Sequence, residues 1–265
     1  MNSIRVRGIE MAYDDVGSGP SIVLLHGYPF NRSLWREQAE FLSARHHRVI
    51  TPDLRGFGET ATSETATMKE MADDVAALLD ELEIRRATVG GLSMGGYVAL
   101  AFYRRFPLRV RALLLADTRA HADMDEARRN RAEQAQTILS EGMEAIAGEM
   151  LAKLLAPATF MERPEIVARV RRMITGTQPE GAAAALAGMA ARVDQTNFLP
   201  SIYAPALILV GSLDKLTPPQ DSELMHREIR GSRLEIIKGA AHMSNLERPA
   251  EFNRALDRFL QALQP

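Results

Sequence analysis

Ala87-Thr88-Val89-Gly90-Gly91-Leu92-Ser93-Met94-Gly95-Gly96-Tyr97-Val98-Ala99-Leu100 is the stretch that decides how this chain folds. Its centre, Gly91 to Gly95, fits G-x-S-x-G, and it falls where the apolar run Ala87 to Val89 stops and a small-residue helical pattern from Gly96 begins. A serine on so tight a strand-to-helix turn is held out of the sheet with its Oγ exposed. Flanking glycines let neighbouring backbone approach without a Cβ in the way.

On both sides of this turn, short β-like runs alternate with helical patterns. The runs are Ile4 to Arg7, Glu10 to Asp14, Ile22 to Leu25, Arg48 to Thr51, Ala87 to Val89, Ala112 to Ala116, Ala206 to Val210 and Leu234 to Ile237. Such alternation predicts a mostly parallel sheet of eight strands covered by helices on both faces. Ile22-Val-Leu-Leu, Leu113-Leu-Leu and Leu207-Ile-Leu-Val are continuously apolar, as strands buried on both faces should be. The first two runs meet at Gly8-Ile9 and predict an antiparallel hairpin at one edge. Helices are expected over Leu34 to Ala44, Met68 to Leu82, Met94 to Phe106, Pro219 to Ile229 and Ala250 to Leu263; Met71, Val75, Leu78, Leu79 and Leu82 form a stripe at helical spacing on the second.

From about Asp123 to Leu199 the strand signal vanishes, and Pro157, Pro164, Gly176 and Pro179 divide the stretch into about four helices. A helical insertion between two strands predicts a cap over the carboxyl edge of the sheet, where ligands bind in folds of this class. The expected organisation is therefore a core in two parts, 1–122 and 200–265, with a helical cap over 123–199. Met143, Met150, Met173 and Met189 suit either adaptable pocket lining or plain core. Arg128, Arg129 and Arg131, like Arg169, Arg171 and Arg172, are expected on solvated helix faces.

Composition narrows the chemistry. With 32 Lys+Arg against 34 Asp+Glu, intermingled, the chain has no basic footprint for nucleic acid or an anionic membrane. It has no cysteine, which excludes disulfides, thiolate catalysis and thiolate metal sites. The first residues form no apolar signal segment, and no apolar run is long enough to span a bilayer, so a cytoplasmic protein is expected. A small neutral or weakly charged molecule is the expected partner.

A neutral serine is a poor nucleophile; it needs a histidine to take its proton and a carboxylate to orient that histidine. His242 follows the last strand in Ile237-Lys-Gly-Ala-Ala-His-Met, and Asp214 follows the strand before it in Val210-Gly-Ser-Leu-Asp-Lys-Leu-Thr-Pro-Pro. Both fall at the carboxyl edge, within reach of Ser93. Asp117, in Leu115-Ala-Asp-Thr, ends a strand at the same edge and is a rival for the acid.

The order Ser93, Asp214, His242 and the pieces His26-Gly27-Tyr28-Pro29, Asp53-Leu-Arg-Gly-Phe-Gly58, the serine turn, Gly211-x-x-Asp214-x-x-x-Pro218 and Gly239-x-x-His242 together resemble the α/β-hydrolase fold family along essentially the whole chain. The resemblance implies a catalytic triad of Ser93, Asp214 and His242, with the acid at Asp214 because Pro218 and the loop match there, although some relatives carry it where Asp117 stands. Acyl transfer also needs two donors aimed at the developing oxyanion. The amide of Met94, the residue after the nucleophile, is one. The second comes from the loop after His26-Gly27, and since Pro29 has no N–H, Tyr28 is the expected donor. The resemblance implies that His26 organises that loop; Asp53 is expected to brace the Arg55-Gly56 loop rather than to take part in proton transfer, and Trp35, the only tryptophan, to pack the first helix on the sheet.

A serine nucleophile sets the chain apart from haloalkane dehalogenases and soluble epoxide hydrolases, which use aspartate, and from dienelactone hydrolases, which use cysteine. The chain resembles small esterases and 3-oxoadipate enol-lactonase-type hydrolases most. Cleavage of a small carboxylic ester or lactone through an acyl-serine, with no metal or organic cofactor, is the implied activity. Carbon-carbon hydrolases of meta-cleavage products, and receptor-like proteins with vestigial hydrolysis, share the same motifs, and cofactor-free perhydrolases share the fold.

Overall fold

The computed structural model describes residues 2–62 and 65–263. Eight strands form one sheet: β1 (Asn2–Val6), β2 (Ile9–Val16), β3 (Ser21–Leu25), β4 (Arg48–Pro52), β5 (Ala87–Leu92), β6 (Val110–Ala116), β7 (Ala206–Gly211) and β8 (Arg233–Ile237), in the order β1-β2-β4-β3-β5-β6-β7-β8. The hairpin expected at Gly8 is there. Arg7 and Gly8 both take positive φ, 47° and 86°, as a two-residue turn matching strand twist requires, and Val6 faces Ile9 across it. β2 runs antiparallel to both neighbours; from β4 to β8 all pairings are parallel.

β5 extends beyond the expected Val89 to Leu92, because Gly90 and Gly91 continue the ladder against β3 and β6. At Gly90 the reason is space: a Cβ would sit 2.9 Å from the Leu114 side chain and 3.1 Å from that of Leu24. Helix α3 (Met94–Arg105) packs on the buried strands β3, β5 and β6, α1 (Arg36–Ser43) packs on β4, and α2 (Met68–Glu81) packs on α3 and β1, starting at a capping box between Thr67 and Glu70. Its buried Met71, Val75, Leu78 and Leu79 are the stripe read from the sequence.

Between β6 and β7 the chain forms five helices rather than about four: α4 (Asp125–Glu141), α5 (Glu144–Leu154), α6 (Pro157–Glu162), α7 (Pro164–Thr175) and α8 (Pro179–Ala190). Prolines open α6, α7 and α8, as expected. The missed break is Gly142, whose φ of 81° stops α4 in a conformation that other residues adopt at a cost. The chain then returns to the sheet, with α9 (Pro219–Glu228) between β7 and β8 and α10 (Ser244–Glu247) and α11 (Pro249–Gln261) after β8. Trp35, in the 3-10 turn before α1, packs its ring 6.0 Å from that of Phe252 on α11, which joins the first helical layer to the last.

Strand order reverses between β3 and β5. β4 returns on one side of β3, and every later strand is added on the other. The loops leaving β3 and β5 therefore diverge and open a crevice at their carboxyl ends, the place where open parallel sheets bind ligands.

Candidate functional site

The strand-to-helix turn at Ser93 is as sharp as its sequence implied. Ser93 sits at φ 54°, ψ −113°, a strained backbone for a residue with a side chain. Close approach holds it there. A Cβ on Gly91 would lie 2.1 Å from Gly95 backbone, and one on Gly95 would lie 2.2 Å from the Leu25 carbonyl oxygen. A Cβ on Gly96 would lie 2.4 Å from the Thr118 hydroxyl. That hydroxyl donates to the Ser93 carbonyl at 2.8 Å, and the Ser93 amide donates to Ala116 at 3.0 Å. The turn is thus fixed from β6 as well as from its own strand.

The same crowding brings the start of α3 against the loop after β3. Among the described residues, neither the Met94 nor the Tyr28 backbone N–H donates a hydrogen bond. Met94 is the first residue of its helix, where an amide has no intrahelical acceptor and the helix dipole favours negative charge. The β3 loop is braced by His26: its Nδ1 donates to the Gly27 carbonyl and its Nε2 accepts from the Leu54 amide, each at 2.9 Å. Burial lowers the pKa of this imidazole despite the nearby Asp53, so it stays in the neutral form those two bonds need.

Asp53 accepts from the Arg32 amide at 2.6 Å, from the Arg32 guanidinium, and from the Glu59 amide at 2.9 Å. It therefore ties the far end of its loop to the turn before α1. Arg55 pairs instead with the buried Asp74 on α2, at 2.6 and 2.7 Å.

At the other end of the sheet edge, the His242 Nδ1 lies 2.8 Å from the Asp214 Oδ2. Asp214 Oδ1 accepts from the amides of Leu216 and Thr217 at 2.8 and 3.0 Å, and the Thr217 hydroxyl donates to Asp214 Oδ2 at 2.7 Å. All three side chains are buried. Burial alone would lower the histidine pKa, but the charge and hydrogen bond of Asp214 overcome it and raise it. Burial would likewise raise that of Asp214, and its partnership with His242 lowers it. With Nδ1 committed to the carboxylate, Nε2 is left as the acceptor. His242 and Ser93 line one cavity of about 550 Å³.

Asp117, the rival acid, holds other partners. It ends β6 at φ 44°, accepts from the Gly211 amide at 2.8 Å, and bonds the Ser244 hydroxyl. Burial, reinforced by the charge of Asp214, pushes its pKa well above the ordinary carboxylate range. Its carboxyl joins the end of β6 to the end of β7 and to the turn after His242.

A sequence model described as the alpha/beta hydrolase fold matches residues 20–249. The chain belongs to the α/β-hydrolase fold family. Among solved structures of this family, it is similar to a thermophilic esterase from Thermogutta terrifontis, at 41% identity and a TM-score of 0.97, with all of both chains covered. It is also similar to the enol-lactonase from Burkholderia xenovorans LB400, at 31% identity and a TM-score of 0.92, covering 98% of this chain and 100% of the other. A 3-oxoadipate enol-lactonase from Acinetobacter baylyi is 28% identical over 97% of this chain and 95% of its own length.

Helices α4, α5 and α8 line one side of the α/β-hydrolase cavity of this chain. Asn130, Arg131, Met150, Leu154 and Met189 from these helices face Tyr28, Ser93 and His242. Of the four methionines, Met150 and Met189 line the cavity, whereas Met143 and Met173 are buried in the core. The Leu154 carbonyl accepts from the His242 amide at 3.1 Å, so α5 is bonded directly to the histidine loop.

Two expectations about arginines fail because helical spacing does not report what a neighbouring helix presents. Arg131 faces the cavity and bonds the buried Asp123 at 2.6 Å. Arg169 reaches Glu37 and the Ser33 carbonyl, which joins α7 to the turn before α1.

Sequence reasoning left open whether the Tyr28 side chain lines the pocket or packs against its loop, and missed that its phenol stands in the site, buried in the cavity wall without a partner among the described residues. It also missed Thr217, whose hydroxyl bridges Asp214 and His242; its place three residues after the acid was the available signal. Among the described residues, no group of three or more His, Asp or Glu is arranged to hold a metal. No described helix is long and apolar enough to cross a membrane.

Proposed function

We propose that the protein cleaves a small carboxylic ester or lactone through an acyl-enzyme on Ser93, with His242 as base, Asp214 as its orienting acid, and the Tyr28 and Met94 amides as oxyanion donors. The observation that carries this reading is the cavity in which a strained, forward-held serine meets a buried histidine already bonded to a carboxylate. The esterase and enol-lactonase relatives, similar over essentially the whole chain, support the same substrate class.

Ser93 Oγ attacks the carbonyl carbon while its proton passes to His242 Nε2. Asp214 stabilises the imidazolium that forms. The carbonyl oxygen, now an oxyanion, takes the two free amides; one such donor contributes about a hundred- to a thousand-fold in rate in enzymes of this kind. His242 returns the proton to the departing alkoxide or enolate oxygen. It then takes a proton from water, whose hydroxide attacks the acyl-serine carbonyl. As the second tetrahedral intermediate collapses, the bond to Ser93 Oγ breaks, His242 passes that proton to Ser93 Oγ, and the acid is released.

The unpartnered Tyr28 phenol is a ready donor to a polar atom of the bound substrate, because a buried O–H without an acceptor costs about 1–3 kcal/mol that a ligand acceptor relieves. We assign the helical stretch 123–199 the part of a cap and the rest that of the core, and place the reaction in the cytoplasm.

The test is hydrolysis of p-nitrophenyl acetate by wild type and Ser93→Ala in the pre-steady state. A burst of p-nitrophenol followed by turnover, both absent from a folded Ser93→Ala, is the expected result. Turnover that survives the substitution would overturn the assignment of the nucleophile.

A further inference from the structure

A second cavity, of about 430 Å³, shares Tyr97 and Arg119 with the first. It lies between α2, α3 and the end of α8, and its volume falls in the range of small-molecule sites. Its floor is apolar, formed by the buried Met68, Leu100, Ala101 and Ala120. Its charged lining is of one sign: Lys69, Arg104, Arg105, Arg119 and Arg192, with no Asp or Glu among the described residues that line it.

Carboxylates behind the wall neutralise only part of this charge. Asp73 pairs with Arg105 at 2.5 Å. Asp123 is shared by Arg119, Arg131 and Arg192, at 3.0, 2.6 and 2.7 Å, with Asp221 a further negative charge near Arg119, so two carboxylates face three guanidinium groups. Among the described residues, Arg104 bonds the neutral Gln195 side chain, at 3.1 Å, and stacks against Phe198. Neither Arg104 nor Lys69 has an acidic partner among the described residues.

Arg192 supplies the observation that points to a ligand. Its side chain is 4% exposed and lies over the Tyr97 ring, with the guanidinium carbon 4.3 Å from the ring centroid. Its Nη atoms are bonded to Asp123, Met189 and His121, while its Nε–H is buried with no acceptor among the described residues. A buried cationic donor left unsatisfied beside an apolar floor, under a rim of unpaired cations, suits an anion with an apolar body.

We propose that this second cavity binds a small carboxylate with an apolar tail, its carboxylate toward Arg192 and Arg104 and its tail against Met68 and Leu100. This is also the chemical class of the acid an ester hydrolase releases. The further inference that the cavity holds product acid beyond the Tyr97–Arg119 partition rests on the function proposed above, whereas the binding itself does not.

The experiment is calorimetric titration of hexanoate, with hexanol as the uncharged control, into the full chain and into the double variant Lys69→Gln, Arg104→Gln. Both titrations are repeated after Ser93 has been blocked with diethyl p-nitrophenyl phosphate. Hexanoate is expected to bind wild type and blocked protein within about twofold of each other, and to bind the double variant at least tenfold more weakly. Hexanol is expected not to bind the blocked protein. In steady-state hydrolysis of p-nitrophenyl acetate, the double variant is expected to keep the wild-type rate and to lose a non-competitive inhibition by hexanoate that wild type shows. The inference is overturned by loss of hexanoate binding on blocking Ser93, by equal binding to wild type and double variant, or by no binding to wild type. Failure of the reagent to release p-nitrophenol would count against Ser93 as nucleophile and not against the cavity, which the unblocked titrations still read.

Discussion

Asp117 and Asp214 stand side by side at the carboxyl ends of neighbouring strands, both buried, and their surroundings make them opposites. Asp214 accepts two amides, one hydroxyl and the His242 N–H, so its environment favours the charged form. Asp117 has the Gly211 amide and the Ser244 hydroxyl, no ion pair among the described residues, and the charge of Asp214 nearby, so its environment favours the neutral acid. A carboxyl group becomes an orienting anion or an internal staple according to what bonds it, and not according to its position on the sheet.

The largest expected consequence is kinetic. Asp214→Asn should lower kcat for p-nitrophenyl acetate by about a thousand- to ten-thousand-fold, because an amide no longer holds the imidazole in the required tautomer or stabilises its charge. Asp117→Asn should cost less than tenfold, since an amide still accepts from Gly211 and donates to Ser244. Reversed magnitudes would break the distinction between the two acids.

The pH profile sharpens it. In the proposed mechanism His242 must be neutral to act as base, and its pKa is raised above 6.5 with Asp214 as the main positive cause. kcat/KM should therefore fall as pH drops through a value above 6.5, with a downward shift of that inflection in the residual activity of Asp214→Asn and none in Asp117→Asn, whose neutral carboxyl has no charge to lose. Stability runs the other way. A histidine whose folded pKa is raised contributes stability that is fully present below its unfolded pKa and is lost as pH rises through the folded value. The His242–Asp214 pair should thus hold the fold most firmly where the enzyme is least active.

The smallest effect is thermodynamic. Because the Asp117 pKa is raised on folding, its contribution is fully present below about 3.9, the unfolded value, and is lost as pH rises through the folded one. Urea unfolding should then show Asp117→Asn gaining on wild type between pH 5 and pH 8. Asp117→Ala, which leaves the Gly211 N–H and the Ser244 O–H unpaired, should lose about 1–3 kcal/mol at either pH. A pH-independent difference between Asp117→Asn and wild type would show that Asp117 is ionised in both states.

How much of this was legible follows from the range of the interactions. The eight strands, the stripe on α2, the hairpin at Gly8 and the turn at Ser93 are written in residues close together in the chain, where periodicity and the small size of glycine decide the conformation. Gly142 was also in plain view, but a glycine within an otherwise helical run does not declare itself as a break until the packing of α5 is known. The aspartates were a different matter. Sequence motifs favoured Asp214 and kept Asp117 as a rival, and no local pattern reports that Ser244, 127 residues further on, lies against Asp117.

The sequence by itself determined the alternation of strands and helices, the glycine-framed serine and the order in which serine, acid and histidine occur, because each depends on near neighbours or on chain order. Tertiary structure alone decided which carboxylate reaches His242, which arginines leave solvent to share Asp123, and that two cavities meet at Tyr97 and Arg119. Those outcomes depend on strand order and on how the helices after β6 fold back over the sheet, which bring together groups that no spacing along the chain connects.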